Sequence, residues 1–311
     1  MAKIVVVGSS NTDMVIKSRT IPRPGETVIG GTFVSNAGGK GANQAVAAAR
    51  LGGNVALIAR VGKDMFGEEA KAGFQREEID ISCVKTDETA ATGIALILVD
   101  EKAENSISVA SGANENLSPA DVDEAEEKFS LISTADILVV QLETPMDTLK
   151  HTADLAARFG VPIILDPAPA PQNGLPEDLL SRLTLIKPNE TEASFLTGVE
   201  VRDIDSAKEA AKILHARGVR QVIITLGKEG VLVSDGISEP TALPAISVQA
   251  VDSTAAGDAF SGALACGLAE GKSLIEAVKF AITAAGLSVT KLGAQQSMPT
   301  REEVERKMSE E

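Results

Sequence analysis

The chain has 311 residues, with 29 Lys and Arg against 44 Asp and Glu, a formal charge of −15, and 44% hydrophobic residues. That length sits at the upper end of one domain, and one large domain with a small accessory element fits better than two equal ones. The acidity argues against a nucleic-acid or anionic-membrane partner, and 3% aromatics with no Trp or Tyr leave few stacking platforms for single strands.

Residues 4–7 form a buried-strand run ending in Gly8-Ser9-Ser10-Asn11. Residues 42–51 read as a small-residue helix, 55–61 as a strand and 65–78 as a helix. Strands at 137–142, 161–165, 184–186 and 222–225 alternate with helices at 119–129, 146–159 and 206–217. A strand-like run at 247–251 precedes helices at 257–269, 273–289 and 301–307. Repeated strand–helix units imply an α/β fold with a mostly parallel central sheet covered on both faces. Residues 14–33 and 92–109 break the pattern as strands and turns punctuated by Pro22, Pro24 and Gly25. They fit either a small β-sheet standing off the body as a lid, or extra edge strands of the main sheet.

Cys83 and Cys266 have no partner at metal-ligand spacing, and His151 and His215 read as surface residues of helices, so no zinc site is expected. The N-terminus runs into a strand without the pattern of a signal peptide, and no apolar stretch is long enough to span a membrane. The cytoplasm is the expected location.

The run Val251-Asp252-Ser253-Thr254-Ala255-Ala256-Gly257-Asp258 opens a helix with small residues. Backbone N–H groups there can approach an anion closely, and the helix dipole favours it. That suits a phosphoryl group gaining charge in transfer. Asp258 is placed to take the proton of an attacking hydroxyl, although an Asp in a first turn, taken alone, is more often a helix cap.

The run Asn36-Ala37-Gly38-Gly39-Lys40-Gly41-Ala42-Asn43-Gln44 opens another helix, and Lys40 and Asn43 share one of its faces as donors for sugar hydroxyls. It does not follow the first strand directly and lacks the third glycine of the dinucleotide fingerprint. Asn11 and Asp13 lie just past the first strand, and Glu143 follows the strand at 137–142. In open α/β sheets that edge binds ligands, and three polar groups there favour polyol recognition. Neither a Walker sequence nor the His-Arg-Asp and Asp-Phe-Gly elements of protein kinases are present. Nucleotide contacts then fall to residues 187–192 and 225–230, with Asn189 and Glu192 near Mg²⁺.

Together, Gly38-Gly39-Lys40-Gly41-Ala42-Asn43, Asn189-Glu190-Thr191-Glu192 and Asp252-Ser253-Thr254-Ala255-Ala256-Gly257-Asp258 resemble the ribokinase/PfkB family of carbohydrate kinases, in order and over nearly the whole chain. The resemblance implies a three-layer α/β/α sandwich with a β-sheet lid, as one kinase domain with insertions at about 12–36 and 92–110. It implies ATP-dependent phosphorylation of D-ribose at O5, with Asp258 as base and N–H groups of Ala255, Ala256 and Gly257 as anion hole. Asn11, Thr12, Asp13, Gly39, Lys40, Gly41, Ala42, Asn43 and Glu143 would bind the sugar. Asn189, Thr225, Leu226, Gly227, Lys228, Glu229, Gly230, Gly257, Asp258 and Ile282 would meet ATP. Glu192 would help place Mg²⁺, and a K⁺ ion would sit near Asp252, Thr254, Ser288, Lys291, Gly293 and Ser297, mainly on carbonyl oxygens. A homodimer through the lid sheets is also implied.

The chain departs from the family pattern at two positions. Ala255 stands where many relatives have Gly, which is close to neutral if its backbone angle is negative. Ile282 replaces a frequent polar neighbour of the nucleotide. Competing substrates are 2-deoxyribose, fructose, 2-keto-3-deoxygluconate or a nucleoside, with Asp13 the discriminating residue. A non-catalytic sugar-binding protein fits poorly, because both base and anion hole are present.

Overall fold

The computed structural model describes residues 2–102, 104–171 and 174–310. The chain begins β1 (Lys3–Val7), β2 (Asn11–Lys17), β3 (Thr32–Gly38), α1 (Lys40–Arg50), β4 (Asn54–Gly62), α2 (Met65–Arg76) and β5 (Asp80–Asp87). It continues β6 (Gly93–Val99), β7 (Asn105–Ala110), α3 (Pro119–Phe129), β8 (Ile137–Val140), α4 (Met146–Phe159), β9 (Ile163–Leu165), α5 (Glu177–Leu180) and β10 (Leu185–Ile186). It ends α6 (Glu190–Thr197), α7 (Ile204–Ala216), β11 (Gln221–Thr225), β12 (Val231–Ser234), β13 (Thr241–Leu243), α8 (Ala256–Ala269), α9 (Leu274–Ser288) and α10 (Arg301–Ser309).

Nine strands form the main sheet in the order β13-β12-β11-β10-β9-β8-β1-β4-β5. It is parallel from β11 to β5, and β12 and β13 add antiparallel at one edge. Side chains alternate across it as a strand requires. Val5 and Val7 enter one core with α3, α4, α6 and α7, whereas Ile4 and Val6 enter the other with α1, α8 and α9. This is the expected three-layer arrangement. From β1 the chain first adds β4 and β5 on one side, then β8 to β11 on the other. The strand order therefore reverses at β1 and β8, and the C-terminal ends of these strands border a crevice suited to a ligand.

The strands β3-β2-β6-β7 form a separate small sheet, not an edge of the main one. β2 pairs antiparallel with β3 and parallel with β6.

Several expectations change. Residues 247–251 form no strand, because Val251 N and Asp252 N both donate to Val289 O at the end of α9 instead of entering a ladder. β5, β12, β13, α5 and α6 go beyond the sequence reading. His215 is not a free surface residue, since its ring nitrogens meet Val219 O at 2.9 Å and Ser234 Oγ at 2.8 Å, tying α7 to β12. His151 is half-exposed and pairs with Asp123 at 2.6 Å.

Candidate active site

Asp258 lies in the first turn of α8 and is 5% exposed. It is not a helix cap. Its Oδ2 accepts from Asn43 Nδ2 and its Oδ1 from Gln44 Nε2, both at 2.9 Å. Those donors come from α1, whose first turn meets the first turn of α8. Gly262 makes that contact possible, because a Cβ there would meet Ala47 Cβ at 2.6 Å and Gln44 O at 2.7 Å. Burial and Asp166 raise the Asp258 pKa, against Lys40, Asn43 and Gln44. A base moved toward neutrality is a stronger proton acceptor.

The sugar-binding candidates converge on the same crevice. Glu143 Oε2 accepts from Ser9 Oγ at 2.5 Å and from Lys40 N at 3.0 Å. Burial, Glu143 and Asp258 push the Asp13 carboxyl up to about 6, partly offset by Lys40. Lys40 itself is raised: burial opposes its charge, but Asp258, Asp166, Glu143 and Glu192 outweigh it. Gly38 is required by Asp13, whose carboxylate lies 2.3 Å from where a Cβ would stand. Gly39 has φ 88° and begins α1. A Cβ on Gly41 would stand 2.6 Å from Ser9 N, and Ala42 N donates to Ser9 O at 2.8 Å. Their part is backbone packing.

Asn11 Oδ1 accepts from Asn114 Nδ2 at 2.7 Å, and Asn114 Oδ1 accepts from Ser10 N at 2.8 Å. Thr12 alternates to the opposite face of the small sheet from Asp13. It lines a cavity of about 520 Å³ with Ser35, Asn36, Phe66 and Arg76, and Asp258 is not among its walls.

On the other side of Asp258, Asn189 and Glu192 form a reciprocal cap of α6. Glu192 N donates to Asn189 Oδ1 at 2.8 Å, and Asn189 N donates to Glu192 Oε2 at 2.9 Å. Burial and Asp166 raise the Glu192 carboxyl. Asn189 bridges Thr225 in a parallel backbone contact. The turn 226–230 closes with Leu226 N donating to Gly230 O at 2.8 Å. Leu226 is buried in the core, while Lys228 and Glu229 are exposed. Gly230 has φ 99°, and a Cβ on it would strike Leu243 O at 2.1 Å. Ile282 is buried in α9.

Ala255 has φ 59°, in the left-handed region. The near-neutral expectation for alanine is therefore corrected. A Cβ costs about 1 kcal/mol there. Asp252 joins the two loops expected to hold the cation. Its Oδ1 accepts from Thr254 N at 2.9 Å and Thr254 Oγ1 at 2.6 Å, and its Oδ2 from Gly293 N at 2.9 Å. These bonds lower its pKa against burial. The Lys291 side chain turns away to Glu303 at 2.8 Å, leaving its backbone for the loop. Among the described residues no cluster of three His, Cys, Asp or Glu could hold a metal. The residues expected around the cation offer oxygen donors and no thiolate or imidazole, which disfavours a transition metal there.

Three neighbours of the site were given no role by sequence reasoning, Gln44, Gln141 and Asp166, and Lys187 entered only within the nucleotide run 187–192, without its pairing to Asp166. Gln141 follows β8, Asp166 follows β9 and Lys187 follows β10, so the parallel sheet sets them in a row. Lys187 pairs with Asp166 at 3.0 Å and donates to Gly257 O at 3.2 Å. The available signal was a lone charge after each of two adjacent buried runs, with opposite signs.

A carboxylate under a helix N-terminus, facing hydroxyl-binding side chains at the switch point of a parallel sheet, defines a small-molecule phosphotransferase. A family model described as pfkB family carbohydrate kinase matches residues 1–301. The chain belongs to that family. It is 46% identical to a ribokinase of Haemophilus influenzae over 96% of each chain. It is 35% identical to a deoxyribokinase of Salmonella typhi, again over 96% of each. It superposes on the structure of Arabidopsis thaliana ribokinase complexed with ribose and ATP with a TM-score of 0.90, at 34% identity over 98% of each chain.

Proposed function

We propose that this chain transfers the γ-phosphoryl group of ATP to O5 of D-ribose, giving ribose 5-phosphate and ADP, with Asp258 as general base. The observation that carries this reading is the Asp258 carboxylate, oriented by Asn43 and Gln44 at the first turn of α8. Both oxygens accept one bond from the protein, and each keeps a lone pair for the proton of the attacking hydroxyl. Asn43 Oδ1 is buried without a partner among the described residues, and a sugar hydroxyl donating to it would satisfy it. The N–H groups of Ala255 and Gly257 would stabilise the transferring group, aided by the helix dipole, whereas Ala256 N donates to Ser253 O at 3.2 Å and would have to leave that turn bond to join them. Asn189 and Glu192 would stand near Mg²⁺, which would supply neutralisation of charge on the ATP phosphates. The backbone of residues 252–254 and 288–297 would hold K⁺, which would order the anion-hole loop.

The small sheet acts as a lid over the sugar, residues 12–36 and 92–110 being insertions in one kinase domain. It also serves as a homodimer contact. Phe33 and Leu96, on one face, and Ile107, on the other, are 60%, 54% and 56% exposed, a large apolar load for a small sheet. The register puts Ile16, Phe33 and Leu96 on one face, with Val34, Ile107 and Val109 on the other. Cys83 and Cys266 are free and buried, as suits a reducing cytoplasm. No helix among the described residues is long and apolar enough to cross a membrane.

An ADP-release assay over ribose, 2-deoxyribose, fructose, 2-keto-3-deoxygluconate and nucleosides, with and without K⁺, tests the reading. Ribose should give the highest kcat/KM, and Asp258→Ala should abolish turnover while ribose still binds. Near-normal kcat in that variant would remove Asp258 as base. Equal kcat/KM for ribose and 2-deoxyribose would remove ribose as the preferred sugar.

A further inference from the structure

We propose that Asp166 is a positioning residue joining the two halves of the transfer site: it orients the Asp258 carboxylate through Gln44 and holds the Gly257 carbonyl through Lys187. The inference rests on the reading of Asp258 as base. Asp166 and Lys187 are 2% and 3% exposed. The pairing of Leu165 with Ile186 brings the next residue of each strand side by side. Asp166 Oδ2 accepts from Gln44 Nε2 at 2.8 Å, Ser261 Oγ at 3.0 Å and Lys187 Nζ at 3.0 Å.

The same Gln44 nitrogen donates to Asp258 Oδ1 at 2.9 Å. One amide therefore spends both protons on two carboxylates. Its orientation is fixed by those two carboxylates, which can only accept, and Gln141 Nε2 donates to Gln44 Oε1 at 2.7 Å on the other side. Lys187 closes the circuit by donating to Gly257 O at 3.2 Å, with its ammonium 5.9 Å from the Phe260 ring. Strand ends, α1 and α8 are thereby referred to one buried charged centre. A pair serving packing alone would be replaceable by apolar side chains without consequence for chemistry. A pair serving the base sets its field. The other charged groups around Asp258 are Lys40 from α1 and Asp13 from β2, with Glu143 beside both.

The test compares Asp166→Asn, Lys187→Met, the double variant and Asp258→Ala, each checked for a cooperative thermal melt. Rates are measured from pH 4.5 to 9 with ribose and ATP. Asp166→Asn should lower kcat at least tenfold while changing ribose KM less than threefold. Removing the negative charge should move the acidic limb of kcat/KM down by about one pH unit, and Lys187→Met should move it up by a similar amount. The double variant should return toward the parent limb. If both single variants melt cooperatively and leave the limb where it was, Asp166 has no positioning role, whatever happens to the rate. Should Asp166→Asn fail to fold, the Lys187→Met and double variants read the same limb. Turnover retained in Asp258→Ala would instead overturn the base, and this inference with it.

Discussion

Asp13→Asn should make the protein more stable at neutral pH and a poorer enzyme. Asp13 is half-buried beside Glu143 and Asp258, and its pKa rises from 3.8 to about 6. An acid whose native pKa lies above its unfolded value takes up a proton on folding. Its effect on stability is most favourable below about pH 4 and is lost as pH rises through about 6. The rise corresponds to about 3 kcal/mol of native-state destabilisation at pH 7.5, and roughly half of that after solvent screening. Asparagine keeps the shape and removes the charge. A gain of about 1–3 kcal/mol would raise Tm by roughly 2–6 °C in a chain of this size. Thermal melts at pH 4.5, 6 and 7.5 measure it, and the gain should shrink toward pH 4.5. Ribose KM should rise at least tenfold, because the bidentate acceptor is gone. A variant less stable at every pH, or a gain independent of pH, would refute the electrostatic reasoning.

Three further outcomes are expected. Ala255→Gly should raise stability by about 0.5–1 kcal/mol by relieving the positive φ, seen as a higher denaturation midpoint; no gain would mean that the loop tolerates the Cβ. Asp252→Ala frees Gly293 N and Thr254 from their acceptor, so kcat should fall at least tenfold and the response to K⁺ should disappear, as titration of the cation against initial rate would reveal. Phe33→Asp with Leu96→Asp should convert a dimer to a monomer in sedimentation velocity; an unchanged mass would exclude the small sheet as the contact.

Much of this molecule was legible because buried parallel strands leave short apolar runs. Residues 4–7 and 222–225 announce themselves by burial on both faces. The proposed base and sugar cradle were legible as candidates because Lys40, Asn43 and Asp258 sit in glycine- and alanine-rich helix starts. Asp166, and the pairing of Lys187 with it, were not, since each is one charged residue after a strand and only the sheet order makes them neighbours. The edge strand β5 mixes polar and apolar residues because it is half-exposed, so its period is diluted. The left-handed Ala255 carries no compositional mark. Residues 247–251 suggest a strand locally, but the end of α9 supplies their hydrogen-bond acceptor.

The close seating of α8 on α1 at Gly262 has a consequence for how this enzyme can be re-engineered. Gln44 and Asn43 cannot shift relative to Asp258 without separating two helices in van der Waals contact. The floor of the site behaves as one rigid part, carrying the base and its orientation. The small sheet is a second part, joined to the floor at the ends of β2 and β3 and carrying Asp13. Substrate choice would therefore be shared between the two parts, through Asp13 on the sheet and Lys40 and Asn43 on the floor. A redesign at Asp13 would also reach the Asp258 carboxylate, because the two charges act on each other across the joint.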